Sequence, residues 1–264
     1  MATVATKRAG SFSRRRRVGP SLGRPWKLWD LDSELRYLPV VEALPASGLP
    51  VCEIGSGTAG LAAWTDRAVV GVDPGPDERH GEVVAPANLL RVRGDGAHVP
   101  LADRSACAAV AVDTFEHIPP DARGAVVDEM KRVTADGGRV VIIGPSGPAA
   151  VDGDRRVLAR MREIGADHII VWLEEHFEHG LPTAQELVGL LGDERIASIE
   201  VTWVFNIRLW WLMHSVVSQR IPEPWPMHRV HHLVWRPVAE VARRVHRGPC
   251  YRCMVVAQLD GPPA

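Results

Sequence analysis

The chain has 264 residues, 46% hydrophobic and 24% charged, with a formal net charge of -1. That composition supports a sizeable core and excludes a wholly disordered, collagen-like or low-complexity chain. No repeat of fixed period is visible, which excludes solenoids and propellers, and four cysteines are too few to staple a chain of this length.

The charge is unevenly spread. Residues 1–24 carry seven basic side chains (Lys7, Arg8, Arg14, Arg15, Arg16, Arg17 and Arg24) and no acid, leaving 24 basic against 32 acidic residues in the remainder. An acidic body with a basic tail does not have the footprint of a nucleic-acid-binding domain. Residues 1–25 lack apolar periodicity and are expected to be a disordered basic tail, followed by one domain over 26–264. No apolar stretch follows the early arginines as a secretory signal would require, and no clean apolar run is long enough to span a bilayer. The expected location is cytoplasmic.

Residues 27–44 read as an amphipathic lead-in helix, with Pro39 a candidate kink. A strand is expected over 50–54, running into a glycine-rich turn with a helix starting near Thr58. Further strands are expected over 69–72, 89–93, 106–112 and 139–143, with a helix over 120–135 stopped by Gly137-Gly138. Beyond 145, residues 150–164 and 183–191 read as helices and 195–204 as a strand. Residues 205–219 are apolar and tryptophan-rich, 227–247 are helical by pattern, and 251–259 form a closing strand. The alternation over 50–144 predicts an α/β fold: a doubly wound, mainly parallel, seven-stranded sheet with flanking helices and a helical C-terminal elaboration. The core that would bind a ligand is 50–145, and the elements of 146–249 form the acceptor side. Sites in such sheets lie beyond the carboxyl ends of the strands, and the motifs below all fall there.

Val51-Cys52-Glu53-Ile54-Gly55-Ser56-Gly57-Thr58-Ala59-Gly60 is strand, tight turn and helix start. Its glycines permit positive φ and close approach of a ligand. On glycines alone, Gly55, Gly57 and Gly60 also satisfy the dinucleotide pattern. Asp73, eighteen residues after Gly55, ends the second strand, where a carboxylate can accept from ribose hydroxyls. Glu53 lies in a strand built for burial. It either holds the glycine loop or meets a cationic ligand, and it would gain nothing from a pyrophosphate. Asp95, with Gly96 and Ala97, follows the third strand, where an acceptor beside a small residue suits an adenine amino group.

These segments together resemble the class I S-adenosylmethionine-dependent methyltransferases. VCEIGSGTAG is similar to that family's first motif, VVGVDP to its second, GDGAHVPLAD to its third and AVAVDTFEHIPP to its fourth, with GGRVVIIGPSG following. The resemblance covers about 50–145 in family order. It implies S-adenosylmethionine as cofactor, with Gly55, Ser56 and Gly57 lining the methionine portion and Asp73 on the ribose. Asp95 and Ala97 would meet the adenine, and Asp113 and Thr114 the methionine end; Glu53, Gly60, Pro74 and Gly96 complete the cofactor-binding set. The stretch between Asp73 and Leu89 departs from the family in lacking a convincing helix. Glu116 and His117, just beyond the fourth strand, are the candidate catalytic pair, with His117 as base where the acceptor is a hydroxyl.

No metal site is expected. The cluster Glu174-Glu175-His176-Phe177-Glu178-His179 reads mainly as solvated loop charge, with a lid or a metal as alternatives. Cys250 and Cys253 read as packing cysteines. Residues 201–247 hold Trp203, Trp210, Trp211, Trp225 and Trp235, and the basic 227–247 helix could make peripheral contact with an anionic membrane surface. The activity implied is methyl transfer to an O or N nucleophile of a small-molecule, lipid or glycan-type acceptor. A non-catalytic adenosyl-binding module and an NAD(P)-dependent oxidoreductase are the alternatives. Neither tyrosine has a lysine four residues on, so a short-chain dehydrogenase pair is absent.

Overall fold

The computed structural model describes residues 3–6, 31–75, 85–164, 167–212 and 248–262. Within these residues the strands are β1 Thr3–Thr6, β2 Val51–Ile54, β3 Val69–Asp73, β4 Leu89–Arg93, β5 Ala106–Val112, β6 Thr134–Pro145, β7 Ile196–Asn206 and β8 Cys250–Leu259. The helices are α1 Leu31–Ala43, α2 Arg123–Val133, α3 Gly147–Ile164, α4 Asp167–His179, α5 Ala184–Leu191 and α6 Ile207–Leu212.

The strands form one sheet in the order β1-β7-β8-β6-β5-β2-β3-β4. Pairings are parallel except those of β8, which runs antiparallel to both β6 and β7. All seven strands read from the sequence are present, in a mainly parallel sheet. The eighth corrects the reading of the N-terminal tail: Thr3–Thr6 pairs in parallel with Ser198 to Val201 at the sheet edge. Three of its four residues, Thr3, Val4 and Thr6, are β-branched, which suits a strand. The rest of the tail, and the tryptophan-rich and basic helical stretch over 213–247, lie outside the described residues.

The chain runs outward from β2 through β3 to β4, then returns to lay β5 on the other side of β2. That reversal opens a crevice at the carboxyl ends of β2 and β5. Every residue of β5 is buried. Its small, continuous apolar sequence is what a central strand covered on both faces requires. One face packs α1 and α3, through Leu35, Val40, Val157 and Met161. The other packs α2 and α5, through Val126, Met130, Leu187 and Leu191. Thr183 and Glu186 begin α5 with a reciprocal capping box, which satisfies two otherwise unpaired helix N–H groups.

Two local expectations fail. Helix α2 ends at Val133, before Gly137-Gly138, and β6 starts at Thr134. The glycines sit instead in an irregular stretch where the β5–β6 register shifts between Ala106↔Thr134 and Ala108↔Arg139. The helix expected from Thr58 is only a 3-10 turn, Gly60–Ala63, with no side-chain cap.

Candidate active site

The glycine turn after β2 stands on a buried acid. Gly55, Gly57 and Gly60 all have positive φ. Glu53 is fully buried, and its Oε2 accepts from the Leu61 N–H at 2.7 Å. A Cβ on Gly60 would lie 2.2 Å from that oxygen, so glycine is required both for the φ and for the carboxylate beneath it. Burial pushes the Glu53 carboxyl up to about 8, against the Leu61 hydrogen bond. Glu53 therefore holds the turn from below. It was expected among the cofactor-binding groups, and its place is a corrected one, because the side chain is sealed under the loop.

Ser56 packs beneath the same turn. Its side chain is buried against Gly71, where a Cβ would lie 2.4 Å from Ser56 Oγ. A Cβ on Gly57, by contrast, would meet nothing within 4 Å among the described residues. The Gly57 N–H donates to Asp73 Oδ2 at 3.0 Å, and the Gly75 N–H donates to Asp73 Oδ1 at 3.1 Å. Each carboxylate oxygen of Asp73 keeps a lone pair for a further donor. Pro74 contributes its carbonyl to Arg93 Nε, at 2.9 Å.

The adjacent segments close on the same point. A Cβ on Gly96 would meet Ile54 Cγ2 at 2.8 Å, so the Asp95–Ala97 turn lies against the end of β2. Asp95 Oδ1 accepts from the Ala97 N–H at 3.0 Å, and that bond holds its carboxyl below the ordinary range. The two residues expected at an adenine are thus paired to each other in a surface turn. Thr114 packs over Gly55, where a Cβ would lie 2.6 Å from its Oγ1 and Cγ2, and its hydroxyl donates to Ile54 O and Val112 O.

Asp113 is placed differently from the expectation. It has a positive φ, and its carboxylate meets Arg252 Nη2 at 2.6 Å, Arg252 Nε at 2.9 Å and Arg36 Nη1 at 3.0 Å. Arg252 is buried and its other edge forks onto Asp32 at 2.7 and 2.8 Å. Burial alone would raise the Asp113 carboxyl; the Arg252 and Arg36 guanidiniums overcome it and hold it well below the carboxylate range. Asp113 is therefore engaged by protein cations, not left open toward a ligand. The sequence reading contained none of this network.

Phe115–His117 form a 3-10 turn beyond β5. Buried Arg123 ties this turn to the loop after α4. Its Nε donates to Phe115 O and Ile118 O at 3.2 and 3.1 Å, and its Nη2 to Gly180 O at 2.5 Å. Glu116 is 1% exposed, and its Oε2 has no hydrogen-bond partner among the described residues. Burial, then the neighbouring Asp113 charge, push its carboxyl up to about 8. His117 Nδ1 lies 2.7 Å from Glu175 Oε2. Burial lowers the His117 pKa, with His176 adding to the effect and Glu175 opposing it.

The acidic and histidine cluster of 174–179 belongs to a helix, not to a solvated loop. His176 is buried, with Nδ1 2.9 Å from Asp154 Oδ2. Tyr251 Oη donates to the other oxygen of Asp154 at 2.7 Å. Burial would lower the His176 pKa, but Asp154 and Glu116 raise it. Cys250 and Cys253 are buried free thiols, as packing residues should be. Trp210 stacks on Tyr251 at 3.8 Å, while Trp203 and Trp211 are exposed.

Residues 52–142 match the family described as Methyltransferase domain. That stretch of the chain is similar to methyltransferase domains. Over 108 residues it is 35% identical to an uncharacterized methyltransferase of Mycobacterium sp. strain JLS, and equally to one of strain KMS. Each match takes in 38% of this chain and 42% of the relative, so it spans about two fifths of the relatives' length. A SAM-dependent methyltransferase from Archaeoglobus fulgidus superposes with a TM-score of 0.52 at 15% identity, over 86% of this chain and 92% of that one. The Haemonchus contortus phosphoethanolamine N-methyltransferase 2, in complex with S-adenosyl-L-methionine, gives 0.54 at 13% identity, over 85% of this chain and 52% of that one. At such identities the likeness establishes the fold.

Proposed function

We propose that this methyltransferase domain binds S-adenosylmethionine in the crevice beyond β2 and β5 and transfers its methyl group to an oxygen or nitrogen of a small-molecule or lipid-like acceptor. The observation that carries the proposal is the convergence of the Gly55–Gly60 turn, Asp73, the Asp95–Ala97 turn and Thr114 on one end of the sheet. The residues fit the cofactor: among the described residues nothing crowds Gly57, and Asp73 has spare acceptor capacity for ribose hydroxyls. When bound, it supplies a methyl carbon already activated on a sulfonium. Gly55, Gly57 and the Ser56 backbone would line the methionine portion, Asp73 the ribose, and Asp95 with Ala97 the adenine.

The protein's own task is then alignment and exclusion of water. Thr114 is fixed by two carbonyls, and Asp113 by Arg252 and Arg36, so the floor between donor and acceptor is rigid. Glu116 and His117 are the residues proposed to meet the acceptor, held in place by Arg123 from below and by α4 alongside. Exposed Trp203 stands near Gly147 at the carboxyl end of β6, an apolar surface fit for a lipid-like acceptor. A dinucleotide is disfavoured, because the Leu61 N–H that a pyrophosphate would seek is already taken by Glu53.

Calorimetric titration with S-adenosylmethionine, and separately with NAD(P), tests this reading. Micromolar binding of S-adenosylmethionine, weakened at least tenfold in Asp73→Ala, is expected. Binding of NAD(P) alone would overturn it. Binding without turnover across hydroxyl and amine acceptors would favour a non-catalytic module.

A further inference from the structure

Three potential ligands converge at the carboxyl end of β5. One ligand atom from each of Glu116, His117 and His176 lies within 4.8 Å of the other two. Metal–ligand bonds of roughly 2.1 Å let donors stand up to about 4.2 Å apart, so small side-chain rotations close the set. Glu116 supplies the independent observation. Its side chain is almost wholly buried, and Oε2 has no hydrogen-bond partner among the described residues. Gly144 on β6 makes room for that oxygen, since a Cβ there would lie 3.0 Å from it. A buried carboxylate oxygen without a partner is costly, and a cation is the partner it lacks.

The two imidazoles are braced from behind. Asp154 Oδ2 lies 2.9 Å from His176 Nδ1, and Glu175 Oε2 lies 2.7 Å from His117 Nδ1. Asp154 is itself anchored by Tyr251 Oη. His176, with its Nδ1 hydrogen-bonded to Asp154, is left with Nε2 as the lone pair for a metal, and this pairing is a regular companion of metal-ligating histidines. Two imidazoles and one carboxylate suit a divalent first-row cation and leave coordination positions open.

We propose that Glu116, His117 and His176 form a divalent-cation site, with Asp154 as the carboxylate that orients the His176 ring and Glu175 as the charge beside His117. Its position next to Thr114 rests on the methyl-transfer reading for its purpose: the open coordination positions would hold an oxygen or nitrogen of the acceptor. The site spans the turn after β5 and α4, so the cation would also fasten α4 over that turn.

The test uses the full chain, stripped with a chelator and titrated by calorimetry with Zn²⁺, Mn²⁺ and Co²⁺ in turn, with visible absorption of the Co²⁺ form as a second readout. One cation per chain with micromolar or tighter affinity is expected. Glu116→Gln and His176→Ala should each weaken it more than tenfold, and Asp154→Asn by about 10- to 100-fold. Glu116→Gln keeps the side-chain shape, so it serves if His176→Ala does not fold. Absence of binding by the folded wild type, or binding unchanged in both ligand variants, would overturn the site. S-adenosylmethionine binding measured on the same stripped protein separates the two readings. If it persists while the cation fails, only the cation site falls; if it is lost while the cation binds, the methyl-transfer reading falls.

Discussion

Replacing Glu53 with glutamine should make the protein less sensitive to alkali. Glu53 lies sealed beneath the glycine turn, with one oxygen on the Leu61 N–H and burial lifting its carboxyl from an ordinary value of 4.5 to about 8. The folded-state value lies above the unfolded one, so between them the folded chain keeps a proton that the unfolded chain has released. Stability from this group is full below about 4.5 and declines as pH rises through about 8. The separation sets a ceiling of about 5 kcal/mol on the loss, and relaxation around the carboxylate would reduce it to about 2–4 kcal/mol. Glutamine keeps the acceptor for Leu61 and cannot ionise. At pH near 5 the variant and wild type should melt within a few degrees of each other. At pH near 9 the variant should melt higher by roughly 5–15 °C, from about 2–4 °C per kcal/mol for a chain of this size. Thermal melts across that range, followed by circular dichroism, give the answer. Parallel pH profiles for the two proteins would refute the placement of an ionisable acid in a dry pocket under the turn.

Two further outcomes follow from the buried groups. Arg252→Met should cost about 3–5 kcal/mol, because it leaves Asp113 and Asp32 short of their shared cation. Adding Asp113→Asn should recover part of that loss in a double-mutant cycle, and strictly additive effects would contradict the network. All four cysteines are buried, and burial pushes the Cys52 and Cys253 thiols up to about 12. A thiol reagent near pH 8 should therefore label the native protein slowly and the denatured protein fully; one fast-reacting native thiol would count against this packing.

The parts legible in the sequence are those written in consecutive residues. The strands β2 to β8 announce themselves by short apolar runs, and the turn motifs place Gly55, Asp73, Asp95 and Thr114 at their ends. The contacts that shape the site are not local. Arg252 lies 139 residues from Asp113, and Arg123 reaches Gly180 over 57; no window of sequence contains either pair. The stretch 174–179 misled because charge density suggests solvent. The available signal was Leu173 and His176, three apart and both buried, on the inward face of α4. Glu53 left two roles open, and only the space beneath Gly60 decided between them.

The last strand of the sheet is not at its edge. β8 threads between β6 and β7, and it alone delivers Arg252 to Asp113. A nascent chain that has emerged as far as β7 already possesses the glycine turn, Asp73 and Thr114. Asp113 would then have only Arg36 beside it, and β6 and β7 would face each other across an unfilled slot with exposed edges. Assembly of the crevice is thus staggered in time: the glycine turn and its neighbours can form from β2 to β5, whereas the Asp113–Arg252 pairing waits for the insertion of β8.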